Sequence, residues 1–193
     1  MPGVTLLCVS HMRDHPAAAT VKGYSEFMRP ALHVIIGPGP GQLATIAHPR
    51  AEAWPVEHLA ALAQAGVTVL VSALTTAEQH RLGFGGTAAA AAAVGVDFVP
   101  FPIAEGGVPR EEAAKVIGLA GRLAAHVRGG RFVVTQCFGG IGRSTLLSCT
   151  TLVLLGIPPG EALHRVTNGS DMPVTRDWLH EFAAHHQPHA TAR

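Results

Sequence analysis

Eight consecutive residues, Cys137-Phe138-Gly139-Gly140-Ile141-Gly142-Arg143-Ser144, combine a nucleophile, a pliable backbone and a fixed cation. Arg143 stands six residues after Cys137, with three glycines between them. An apolar run precedes the cysteine and an apolar helical pattern follows the arginine. Glycines let the chain curl so that successive N–H groups point inward, and a following helix adds the positive end of its dipole. The backbone of Phe138, Gly139, Gly140, Ile141 and Gly142 thus makes a cradle suited to a tetrahedral dianion such as phosphate. The same field stabilises a thiolate, the form in which Cys137 would attack. Arg143 grips two oxygens of the anion with its planar fork, most tightly in the transition state. Ser144 donates a hydrogen bond to the thiolate as it leaves a covalent intermediate. A Cys with an Arg six residues on is common by chance, so the inference rests on the whole combination.

The surrounding elements place this loop where such chemistry is usually found. Residues 32–36 read as a strand that ends in Gly37-Pro38-Gly39-Pro40-Gly41, a cluster that breaks regular structure. Residues 55–65 carry helical spacing, opened by Pro55 and closed by Gly66. The β-branched run 67–71 predicts a buried parallel strand. Helical segments follow at 76–83 and 86–94, then a short strand at 96–99. The loop Phe101-Pro102-Ile103-Ala104-Glu105-Gly106-Gly107-Val108-Pro109 comes next. A helix over 110–127 has Glu111 and Glu112 at its positive end, and Gly129-Gly130 stops it. Residues 131–136 give the next strand, with Phe132, Val133 and Val134 at its centre. Helices over 142–155, 159–167 and 175–186 complete the chain. Strand and helix alternate from 32 to 155, which predicts an α/β fold: three layers, with a central, mostly parallel sheet between helices. Ligands of such sheets lie beyond the carboxyl ends of the strands. Both unusual loops, 101–109 and 137–142, follow strands directly.

The segment around Cys137 resembles the signature of the protein tyrosine phosphatase superfamily, His-Cys-x5-Arg-Ser/Thr. Its likeness is greatest to the dual-specificity branch and to compact bacterial members. The 101–109 loop is similar to that family's general-acid loop, Pro-Ile-x-Asp with a proline a few residues on. The Gly37–Pro49 stretch, Ala65-Gly66-Val67 and Trp178-Leu179-His180-Glu181-Phe182 also fit, so the resemblance covers about residues 32–182. It implies a phosphate monoester hydrolase with a phosphocysteine intermediate. Cys137 would be the nucleophile, Arg143 the clamp, Ser144 the hydroxyl, Glu105 the acid and base, and Gln136 a supporting residue. It further implies no metal and no organic cofactor. The expected partner is a protein phosphorylated on tyrosine, serine or threonine, or a small phosphate monoester. Residues 31–187 would form the catalytic domain, after an extension of residues 1–30 and before a tail of 188–193.

Two positions depart from the family pattern. Gln136 stands where the family has His; it brings a hydrogen-bonding amide for the loop backbone but no imidazole. Glu105 stands where the family has Asp, keeping a carboxyl group but moving its proton by a methylene. Asp97 is the poorer acid candidate, because it precedes its strand. These departures leave three rivals to protein dephosphorylation. One is a pseudophosphatase that binds phosphorylated ligands without turnover, and another an enzyme acting on a phosphorylated metabolite. The third, a rhodanese-like sulfur-transfer enzyme, is disfavoured by the Arg-Ser ending and the separate acid loop. No lysine lies inside the cradle, which disfavours a polyphosphorylated lipid headgroup.

Bulk properties narrow the remainder. At 193 residues, with 48% hydrophobic and 14% charged residues, the chain suits one compact α/β domain. A formal net charge of +1 with no recurring Lys/Arg block gives no sign of nucleic-acid binding. Cys8, Cys137 and Cys149 are an odd number at no metal-ligand spacing, so a reduced, cytoplasmic chain is expected. No segment reaches membrane length, and the apolar run 4–9 lacks a signal-peptide pattern. The twelve histidines are scattered apart from His180, His185, His186 and His189, which read as a solvated tail rather than a metal site. Cys149, on the predicted helix after the cradle, reads as a small packing residue rather than a resolving thiol.

Overall fold

A computed structural model describes residues 32–37, 39–47, 56–105, 110–139, 142–170 and 172–186. Among these residues five strands form one sheet: β1 (His33–Ile35), β2 (Gln42–Ala47), β3 (Val67–Ser72), β4 (Asp97–Pro100) and β5 (Phe132–Cys137). Their spatial order is β1-β2-β5-β3-β4, and only the edge strand β1 runs antiparallel. The helices are α1 (Val56–Gln64), α2 (Thr76–Arg81), α3 (Thr87–Ala93), α4 (Ala113–Arg128), α5 (Arg143–Leu154), α6 (Pro159–Thr167) and α7 (Pro173–His186). Short 3-10 turns cover Phe84–Gly86 and Arg110–Glu112. Glu111 and Glu112 therefore sit in the turn that leads into α4, rather than in the helix itself.

Alternation along β5 sorts its side chains between two cores. Phe132 and Val134 pack with Leu59 and Leu62 of α1, Ala91 of α3, and Leu70. Val133 and Cys137 pack on the other face with Leu119 and Leu123 of α4, Leu147 and Leu152 of α5, and Leu179 of α7. Strand β5 is buried at all six positions, as its apolar sequence requires of a central parallel strand.

The sequence reading passed over β2. Its Gln-Leu-Ala-Thr-Ile-Ala holds only two strong strand formers, Thr45 and Ile46, and no clean alternation, yet its middle four residues are buried between β1 and β5. Gly41 makes this insertion possible. Its N–H reaches the carbonyl of Val127 at 3.0 Å, and a Cβ there would lie 2.5 Å from that oxygen and 2.4 Å from the carbonyl oxygen of Arg131. The extension 1–30, the tail 188–193, Cys8 and His189 fall outside the described residues.

Candidate active site

Strand β5 carries Cys137 to the carboxyl edge of the sheet, and helix α5 begins at Arg143. The turn between them needs Gly142, whose φ of +100° lies where side chains other than hydrogen are strained. Its N–H donates to Thr145 Oγ1 at 3.3 Å, which meets one free amide at the helix start. Phe138 and Gly139 lie exposed at the rim, while Gly140 and Ile141 are outside the described residues.

The Cys137 thiol is buried at 1% exposure, with its Sγ 3.2 Å from Ser144 Oγ. Behind it runs a hydroxyl chain that sequence reading missed. Thr135 Oγ1 donates to the carbonyl of Ser144 at 3.2 Å and lies 2.8 Å from Ser148 Oγ. Because the single Thr135 proton goes to that carbonyl, Ser148 donates to Thr135. The chain fixes the first turn of α5 against β5, and so fixes Ser144 against Cys137.

Arg143 is held more firmly than any sequence motif announced. Its Nη1 donates to Glu78 Oε2 at 2.7 Å and its Nη2 to Glu78 Oε1 at 2.9 Å, an end-on bidentate pair. Nη1 also reaches the carbonyls of Ile103 at 3.1 Å and Ala73 at 3.4 Å. The Nε–H and the second Nη2–H share the opposite edge of the guanidinium. No described residue bonds them, and that edge has the geometry to take two oxygens of a tetrahedral anion. Glu78 is itself oriented by a capping box at the start of α2: its N–H donates to Thr75 Oγ1 at 3.2 Å, and the Thr75 N–H donates back to Glu78 Oε2 at 2.7 Å. The signal was present as Thr75-Thr76-Ala77-Glu78, a Thr-x-x-Glu start, though that pattern points to a cap and not to a site. The hydrogen bond from Arg143 holds the Glu78 carboxyl at a pKa of about 2, and the same bond raises that of Arg143.

The loop that follows β4 is anchored by its backbone. Phe101 N–H bonds the carbonyl of Ser72 at 2.8 Å and Ile103 N–H that of Ala73 at 3.1 Å, with the Ile103 side chain buried. Glu105 follows at an exposed turn, near enough for its charge to raise the pKa of Arg143. Residues 106–109 are outside the described residues. Asp97 lies at the amino end of β4 and pairs with Arg131 ahead of β5, at the opposite end of the sheet from Cys137.

Gln136 departs from expectation. Alternation turns its side chain away from Cys137, toward the α1 face, and it is wholly buried. Neither amide atom has a hydrogen-bond partner, so the expected bond to the loop backbone is absent. The Ser72 hydroxyl, in register with it on β3, is likewise buried and unpartnered. Unmet buried polar groups cost about 1–3 kcal/mol. Gln136→Met, close in volume, is therefore expected to raise stability by about 1–2 kcal/mol, read as a higher midpoint in urea.

Two peripheral groups resolve simply. Burial pushes the Cys149 thiol up to about 12, and its Sγ–H points to the carbonyl of Ala162 at 3.7 Å, which suits packing and not redox exchange. His185 and His186 direct Nδ1 to the carbonyls of Glu181 and Phe182 on their own helix.

Among solved structures the chain is similar to kinase associated phosphatase carrying serine for its catalytic-site cysteine. That match has a TM-score of 0.70 at 20% identity and covers 83% of this chain and 97% of that one. The fold is that of the tyrosine and dual-specificity phosphatases. PTPMT1 in complex with PI(5)P matches at a TM-score of 0.62 and 17% identity, over 77% of this chain and 93% of that one. Tk-PTP in its active form matches at 0.60 and 19%, over 75% and 92%. No family model and no curated protein matches the sequence. No helix among the described residues is long and apolar enough to cross a membrane.

Proposed function

We propose that the chain hydrolyses phosphate monoesters through a phosphocysteine intermediate, acting on protein phosphorylated at tyrosine, serine or threonine. The observation that carries this reading is Cys137 and Ser144 at 3.2 Å, beside an arginine paired with Glu78 through its Nη groups, whose Nε edge no described residue bonds. The Cys137 thiolate attacks phosphorus, the ester P–O bond breaks, and Glu105 gives its proton to the leaving oxygen. Charge that builds on the equatorial oxygens is met by Arg143 and the cradle amides. A water then attacks the phosphocysteine and yields its proton to the Glu105 carboxylate. The S–P bond breaks, and the departing thiolate accepts a hydrogen bond from Ser144. A second reading, a small phosphorylated metabolite as substrate, is favoured by a cavity beside the first turn of α5 whose described lining carries Thr45, Thr145, Thr167 and Ser170.

Hydrolysis of para-nitrophenyl phosphate with a chelator present tests the reaction class. Rapid acid quench should trap phosphate on Cys137. Absence of both turnover and trapped phosphate, with vanadate still raising the melting temperature, would move the chain to a binding role without catalysis. Glu105→Gln is expected to lower kcat about 10²- to 10³-fold on a substrate with a poor leaving group, and less on para-nitrophenyl phosphate. Equal losses on the two substrates, or coincident pH–rate profiles, would remove Glu105 from the acid role.

A further inference from the structure

The hydroxyls of α5 do not all bond alike. Thr150 and Thr151 donate to the carbonyls of Leu146 and Leu147, four residues back, at 2.7 and 2.8 Å. Thr167 of α6 treats Leu163 in the same way at 2.9 Å. Mid-helix hydroxyls commonly bond their own helix like this. Ser148 is as fully buried as Thr150 and Thr151, yet its hydroxyl lies 2.8 Å from Thr135 Oγ1 of β5. The carbonyl four residues before it, that of Ser144, takes the Thr135 hydroxyl instead, at 3.2 Å. Strand and helix have exchanged bonds, and the exchange falls on the residue whose own hydroxyl lies 3.2 Å from Cys137 Sγ.

Ser144 depends on this tie more than its neighbour does. Arg143 has separate bonds to Glu78, Ile103 and Ala73. Among the described residues Ser144 Oγ has no partner besides Sγ, so its place is set by its own main chain. The Ser144 carbonyl is where β5 grips that main chain. Thr135 and Cys137 stand two residues apart on one face of β5, so both ties to Ser144 rise from neighbouring side chains. Hydrogen bonds weaken steeply with angle. A small rotation of the first turn of α5 would thus cost the contact to sulfur while Arg143 stays held.

We propose that Thr135 and Ser148 are positioning residues for the second half of the reaction, holding Ser144 to meet the thiolate that leaves the phosphocysteine. The inference rests on the phosphatase reading and adds where the rate of the hydrolytic step is set. In that step a water oxygen bonds phosphorus and the water proton goes to the Glu105 carboxylate. The S–P bond breaks with its electron pair on sulfur, and the new charge accepts the Ser144 hydrogen bond. Thr135 and Ser148 touch no reacting atom and act through Ser144 alone.

Thr135→Val combined with Ser148→Ala tests this. Replacing both partners of a buried hydrogen bond by apolar groups is nearly neutral for stability, so the urea midpoint should stay near that of the wild type. Rapid quench with para-nitrophenyl phosphate reads formation and decay of the phosphocysteine separately. Decay is expected to slow about tenfold, the worth of one charge-assisted hydrogen bond, with formation changed by less than about twofold. Where decay limits turnover, kcat and KM then fall together and kcat/KM holds. In a Ser144→Ala background the pair should cause no further loss, because its effect passes through that hydroxyl. Thr135→Ser, which keeps the hydroxyl and drops a methyl, should show the reverse: a lower urea midpoint with decay unchanged. Should the pair fail to fold, Ser148→Ala alone is expected to slow decay about threefold. Unchanged decay, an equal loss in formation, or an undiminished loss on top of Ser144→Ala would overturn the inference and leave the phosphatase reading standing. A wild-type chain with neither turnover nor trapped phosphate would overturn both.

Discussion

Cys137→Ser is expected to lower turnover of para-nitrophenyl phosphate by about 10⁴-fold or more, while phosphate and vanadate still bind. A thiol is intrinsically the better nucleophile, whereas a serine hydroxyl needs a base to take its proton. Sγ lies 3.2 Å from the Ser144 hydroxyl, which is a donor to a thiolate and no base for an alcohol. The clamp is untouched by the substitution, since Arg143 is held by Glu78, Ile103 and Ala73. The variant should thus show a phosphate-induced rise in melting temperature equal to or above that of the wild type. Residual turnover within tenfold of wild type would mean that the thiol is not the nucleophile.

The readable part of this molecule was local. Cys137, the glycines and Arg143 are contiguous, and the strand before them and helix after them each have a clear apolar pattern, so β5, α5 and the loop between were legible at once. Strand β2 was not, because its place is fixed by neighbours on both sides and by the close contact at Gly41, none of which leaves a period in Gln42–Ala47. Glu78 was hidden for a similar reason. Its capping box is a local feature, but its partner lies 65 positions away and meets it only once β3 and β5 lie side by side. Gln136 was misjudged because its neighbour Cys137 drew it into the loop's chemistry. The two-residue period of a strand sends adjacent side chains to opposite faces, and that alone separates them.

The Glu78–Arg143 pair is expected to show the second large effect. Glu78→Ala leaves a buried guanidinium without its counter-charge, which costs about 3–5 kcal/mol of stability. It also frees Arg143 to turn its Nε edge away from the phosphate, with kcat lowered about 10²- to 10³-fold. The pH dependence follows from the sign of the shift. The Glu78 pKa is depressed in the folded chain, from 4.5 to about 2, so its stabilisation is complete above 4.5 and is lost as pH falls from there toward 2. Glu78→Gln should lack that part of the acid transition. A double variant, Glu78→Met with Arg143→Met, separates the roles of the pair. An apolar pair of similar volume in place of a buried ion pair is often neutral or stabilising. The double variant should therefore regain most of the stability lost in Glu78→Ala, yet remain as inactive as Arg143→Met alone. Recovery of both would mean that the arginine does not touch the phosphate. Recovery of stability without activity would mean that the pair is kept for what Arg143 does in the reaction and not to hold the fold together.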